Sequence, residues 1–93
     1  MTKQQIKKKL AKADVYLNRA EYETVEILKE IQKKTNVELF RISKIPSDSW
    51  CIEYNYIDEY GEIFYKLCPV EYAFDLLESK SFLTQEDLSS ISV

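Results

Sequence analysis

The chain has no histidine, one glycine, two prolines and two cysteines among its 93 residues. Without histidine there is no Ser-His or Cys-His nucleophile pair, and the commonest metal ligand is missing. A single glycine cannot build a Walker loop or a dinucleotide fingerprint, since both need several glycines for the backbone to approach phosphate closely. Two cysteines, Cys51 and Cys68, are too few for a disulfide scaffold and point to a reducing, cytoplasmic compartment. No apolar run approaches the roughly 20 residues that span a bilayer, and Met1-Thr2-Lys3-Gln4-Gln5 leads into no signal-type hydrophobic stretch. The expectation is a chain that is neither secreted nor membrane-bound and is not an enzyme, with no cofactor and no metal.

What is present is enough for one core. Hydrophobic residues make up 45% of the chain, with seven Tyr, four Phe and one Trp, which argues against disorder despite the 31% of charged residues. A chain this short buries only about 60–65% of the surface its unfolded state exposes, so a single domain over residues 1–93 is expected. The net charge of −3 conceals an asymmetry: residues 1–45 hold eleven Lys/Arg against six Asp/Glu, and residues 46–93 hold two against ten. The molecule is polarised along its sequence, with the acidic half the stronger pole.

Residues 1–36 read as helical. Ile6, Leu10, Ala13, Leu17, Ala20, Thr24, Ile27 and Ile31 recur in steps of four and three, and Thr2 with Gln5 forms a capping-box pattern at the start. One long helix is the simplest account; Asn18 with Glu21 is a second capping-box-like pair that would split the segment near Leu17–Ala20. Residues 37–68 read as a three-stranded antiparallel sheet. Val37–Ile45 is the first strand and Pro46-Ser47-Asp48-Ser49 a turn; Trp50–Ile57 and Glu62–Leu67 form a hairpin around Asp58-Glu59-Tyr60-Gly61. Residues 69–93 hold a C-terminal helix, from Pro69 to about Lys80, and a tail in which Thr84 with Asp87 opens a final short turn. The fold class is α+β in the order α-β-β-β-α.

A four-residue hairpin loop sets a register in which Ile57 faces Glu62, Tyr54 faces Tyr65, Ile52 faces Leu67 and Cys51 faces Cys68. Trp50, Ile52, Tyr54, Tyr56, Ile63, Tyr65 and Leu67 would then share the core face. Cys51 and Cys68 would lie within disulfide reach, although two small reduced residues filling a sheet face is the plainer account.

Three surfaces could carry a partner. The acidic half interleaves carboxylates with tyrosines, and Asp58, Glu59, Tyr60 and Glu62 at the hairpin tip, with Glu71 and Asp75 at the start of the last helix, combine charge with an aromatic anchor. Such a surface suits a basic protein partner, in the manner of small phage-encoded inhibitors of nucleic-acid-binding enzymes, the anti-restriction and anti-CRISPR proteins among them. The tip carboxylates lack the ligand spacing of a calcium loop and the cleft of a glycosidase pair. The second surface is Lys3, Lys7, Lys8, Lys9 and Lys12, which could hold a phosphate backbone. The element order matches double-stranded-RNA-binding domains in topology alone, because their last helix starts lysine-rich whereas this one starts Pro69-Val70-Glu71-Tyr72 and continues to Asp75. The third is the helical seam, which could zip to a second copy as a homodimer or lie on the chain's own sheet; its Ala and Thr positions favour the sheet.

Overall fold

Thr2 and Gln5 exchange reciprocal hydrogen bonds, Thr2 N–H to Gln5 Oε1 at 2.8 Å and Gln5 N–H to Thr2 Oγ1 at 3.2 Å, which start the first helix as the sequence pattern requires. The computed structural model describes residues 1–15, 20–44 and 49–92. Its elements are α1 (Lys3–Val15), α2 (Ala20–Gln32), β1 (Leu39–Ser43), β2 (Cys51–Ile57), β3 (Ile63–Pro69), α3 (Val70–Ser79) and α4 (Gln85–Ser90). The class is α+β and the three strands form one antiparallel sheet in the order β1-β2-β3.

One long N-terminal helix is not what forms. The N-terminal ammonium lies 3.3 Å from Glu30 Oε1, and Lys9 Nζ lies 3.3 Å from Glu23 Oε2 and also binds Glu26. A continuous helix would hold residues 1 and 30 about 43 Å apart at 1.5 Å per residue, so α1 and α2 must fold back on one another. Residues 16–19, where Leu17 and Asn18 fall, lie outside the described residues, as does the predicted turn at 46–48. Both helices turn their seam inward: Ile6, Leu10 and Ala13 of α1 and Thr24, Ile27 and Ile31 of α2 are buried in the chain's own core. The described part of that seam is therefore packed within the fold.

The hairpin register is offset by one residue from the four-residue-loop expectation. Ile57 pairs with Ile63, Tyr56 with Phe64, Tyr54 with Lys66, Ile52 with Cys68 and Cys51 with Pro69. The cause is Asp58. Its carboxylate accepts hydrogen bonds from Tyr60 N–H at 2.9 Å and Glu62 N–H at 2.8 Å, its own N–H donates to Glu62 C=O at 2.9 Å, and Gly61, at φ 81°, donates to Asp58 C=O at 3.1 Å. The loop thus runs through Glu62, five residues in place of four, and a one-residue slip exchanges the two faces of β3. Phe64, Lys66 and Cys68 join Ile52 and Tyr54 on the helix-covered face, while Ile63, Tyr65 and Leu67 turn to the other. Of the expected core, Ile52 and Tyr54 are fully buried, Trp50, Tyr56 and Leu67 partly so, and Ile63 and Tyr65 are exposed. Cys51 and Cys68 fall on opposite faces as free thiols, so they do not oppose each other for a disulfide.

The C-terminal elements close the helix-covered face. Pro69 is the last residue of β3 and the N-cap of α3, so the helix starts at Val70, one residue later than expected. Leu83 N–H donates to Lys34 C=O at 2.7 Å and Thr35 Oγ1 to Leu83 C=O at 2.8 Å, joining the α3–α4 connection to the end of α2. Tyr54 OH donates to Ser92 Oγ at 2.5 Å, whose own proton goes to Leu88 C=O at 2.7 Å. The segment after α4 is thus tied to the core through Ser92. Gln85 sits beyond the end of β1 and supplies what a strand would: its amide donates to Ile57 C=O at 2.6 Å and accepts from Ile57 N–H at 2.7 Å.

Thr84 and Asp87 form the capping box of α4. Lys80 Nζ at 2.6 Å, with Thr84 N–H and Oγ1 donating to the same carboxylate, holds the Asp87 carboxyl at about 2 against an ordinary 3.8. A carboxyl depressed by folding favours the native state above its unfolded value and loses that contribution as pH falls from 3.8 through about 2. The Asp87 carboxyl carbon is expected to titrate with a midpoint near 2 by NMR, and Lys80→Ala to move that midpoint upward; an unchanged midpoint in the variant would assign the shift to the cap alone.

Candidate protein-binding surface

The tip residues do not act alike. Asp58 is half-buried and its carboxylate is spent holding the loop, so it orders the tip instead of facing a partner. Glu59, Tyr60 and Glu62 point outward from that ordered loop, Tyr60 with 82% of its surface exposed. Next to them the register brings apolar side chains into the open: Ile57 and Ile63 are directly opposed and 52% and 64% exposed, and Tyr65 is 59% exposed. The tip is therefore an acidic rim against an apolar and aromatic strip, the composition of an interface core with a polar edge. Ile57, Ile63 and Tyr65 are not among the candidates that sequence reasoning names; the one available signal is Asp58, a residue whose side chain turns a backbone on itself.

Glu71 and Asp75 lie elsewhere. They belong to α3, which begins at the end of β3 away from the tip, and the six residue steps from Ile63 to Pro69 at 3.3 Å put the two ends of that strand about 20 Å apart. Asp75 is also engaged by the Lys3 ammonium. The six acidic and aromatic candidates thus divide into a tip group of Asp58, Glu59, Tyr60 and Glu62 and a separate α3 pair.

Two of the five N-terminal lysines are neutralised. Lys3 binds Asp75, and Lys9, mostly buried along its stem, binds Glu26 and Glu23; these hydrogen bonds raise both ammonium pKa values. Lys7, Lys8 and Lys12 are exposed and, among the described residues, have no carboxylate within ion-pair distance. Three free cations on one short helix are a small phosphate footprint.

Neither cysteine suits nucleophilic chemistry. Burial raises the Cys51 thiol, and burial with the neighbouring Cys51 pushes Cys68 up to about 12, so both stay protonated near neutral pH. Among the described residues no cluster of three or more Cys, Asp or Glu gathers in a metal-binding arrangement, and no helix is long and apolar enough to cross a membrane. A cleft of about 390 Å³ opens between α2 and β1, lined mainly by apolar side chains such as Val25, Leu28, Phe40 and Trp50. No family model, curated protein or solved structure matches the chain.

Proposed function

We propose that this chain is a non-enzymatic protein-binding domain, an inhibitor or regulator, that presents its hairpin tip to a basic protein partner. The observation that carries the reading is Tyr60, 82% exposed between Glu59 and Glu62 on a loop whose backbone Asp58 holds in place. An aromatic anchor on an ordered loop binds without a large ordering cost, and the surrounding carboxylates steer a cationic groove toward it. The excess of acidic groups over the whole C-terminal half adds to that steering. Small phage inhibitors of nucleic-acid-binding enzymes work by this chemistry as a class, in the reducing cytosol that the two free thiols suit.

The test uses the immobilised chain as bait in a nuclease-treated bacterial lysate, beside a Glu59→Lys/Tyr60→Ala variant that leaves Asp58 in place. One protein retained stoichiometrically by the wild type and about thirtyfold more weakly by the variant is the expected result, the size of a hot-spot loss. Equal retention by both would place the contact elsewhere. Loss of all bound material with the nuclease, together with loss on reversing Lys7, Lys8 and Lys12, would make the domain a nucleic-acid binder.

A further inference from the structure

Strand β3 is the outer strand of the sheet, and its free side is open. Asp58 N–H donating to Glu62 C=O at one end of the hairpin and Val70 N–H donating to Trp50 C=O at the other fix the alternation of the β2–β3 ladder. Tyr56–Phe64, Tyr54–Lys66 and Ile52–Cys68 are its hydrogen-bonded pairs. Ile63, Tyr65 and Leu67 therefore turn their backbone N–H and C=O groups to the open edge, where, among the described residues, nothing bonds to them. The edge has few of the features that keep strands apart: Pro69 comes only at its end, and Lys66 is drawn to the helix-covered face, 2.9 Å from Ser89 Oγ and 4.2 Å above the Tyr56 ring.

The stretch along this edge is Glu62-Ile63-Phe64-Tyr65-Lys66, exposed as far as Tyr65, acidic at one end, basic at the other and apolar between. We propose that β3 pairs antiparallel with β3 of a second copy about a two-fold axis at Phe64, making a continuous six-stranded sheet. In that register Ile63 faces the other copy's Tyr65 and exchanges both backbone hydrogen bonds with it, twice by symmetry. Phe64 meets its own copy as a non-hydrogen-bonded pair, where side chains approach most closely. Glu62 stands opposite Lys66 at both ends. Among the described residues Glu62 has no ion-pair partner, and the Lys66 ammonium uses one of its three donors on Ser89. Moving the axis to Tyr65 would face Glu62 with Cys68, and moving it to Ile63 would face Lys66 with Tyr60, so charge complementarity selects the Phe64 register. This pairing stands independently of the proposed partner; Glu59 and Tyr60 remain outside it, and the two tips lie on opposite ends of the joined strands.

Sedimentation velocity across micromolar to sub-millimolar concentrations tests it, with circular dichroism to confirm folding of each variant. The wild type is expected to dimerise. Glu62→Lys and Lys66→Glu should each raise the dimer dissociation constant about ten- to a hundredfold, because like charges then face each other at both ends, and the double exchange should restore it. Glu62→Lys alters an exposed side chain that makes no hydrogen bond or ion pair among the described residues, so a loss of dimer there cannot be misfolding at Lys66. A wild type that stays monomeric, a dimer indifferent to both single reversals, or a folded double variant that stays dissociated would each overturn the proposal.

Discussion

Truncating Tyr54 to alanine is expected to lower the melting temperature by about 15–30 °C. Among the described residues Tyr54 is the largest fully buried side chain, at the centre of the middle strand, with Leu39 opposite it on β1 and Lys66 on β3. Removing a buried aromatic ring costs about 3–5 kcal/mol, and each kcal/mol moves the midpoint of a domain this size by about 4–8 °C. A chain of 93 residues has a total stability of about 5–14 kcal/mol, so the variant is partly unfolded at the low end of that range. Tyr54→Phe keeps the ring and removes only the hydrogen bond to Ser92, a loss of about 1 kcal/mol. Tyr65→Ala is the control: with its side chain in the open the effect stays within about 0.5 kcal/mol, whereas a Tyr54–Tyr65 pairing would make the two truncations comparable. Thermal denaturation followed by circular dichroism reads all three.

The second large effect belongs to Arg41. Its Nε lies 2.6 Å from Glu53 Oε2, and the two side chains differ sharply in exposure, 74% for the arginine and 4% for the glutamate. Arg41 thus lies over a carboxylate that the central strand has taken out of water. Arg41→Ala removes that cover and leaves the carboxylate with no cation, a loss of about 2 kcal/mol set by the buried partner rather than by the exposed one. Adding Glu53→Gln to the Arg41→Ala background should recover most of it, since a neutral amide carries no uncompensated charge. Urea denaturation of the two single variants and the double gives the coupling directly; strictly additive losses would mean that the pair contributes nothing.

Most of the fold was legible in the sequence because it rests on local signals. The capping pairs Thr2–Gln5 and Thr84–Asp87 start α1 and α4 where their spacing places them, and Ile52 and Tyr54 line the core as alternation requires. The N-terminal helices were misread for a physical reason. Ile6, Leu10 and Ala13 pack on the same core as Thr24, Ile27 and Ile31, so their spacings stay in phase across the segment and periodicity alone cannot reveal a reversal of direction. The competing sign, Asn18 with Glu21, was the better guide, although Asn18 itself lies outside the described residues.

The candidate surface was legible in part. Tyr60, Glu59 and Glu62 could be placed at a hairpin tip from the turn residues around Gly61, but the exposure of Ile63 and Tyr65 depends on a single loop residue. Whether Glu62 belongs to the strand or to the turn changes the face of every β3 side chain, and only the two hydrogen bonds of the Asp58 carboxylate decide it. The division of Glu71 and Asp75 from the tip, and the neutralisation of Lys3 and Lys9, likewise come from contacts between residues distant in sequence, which spacing along the chain does not encode.

Hydrogen exchange on the chain alone and bound to its captured partner tests the central claim most directly, read at Glu59, Tyr60 and Gly61, which lie outside the proposed β3 pairing. Slower exchange at these amides in the complex, with α1 unchanged, is the predicted result. Slowing confined to residues 3–12, with the tip amides exchanging as they do in the free chain, would contradict it.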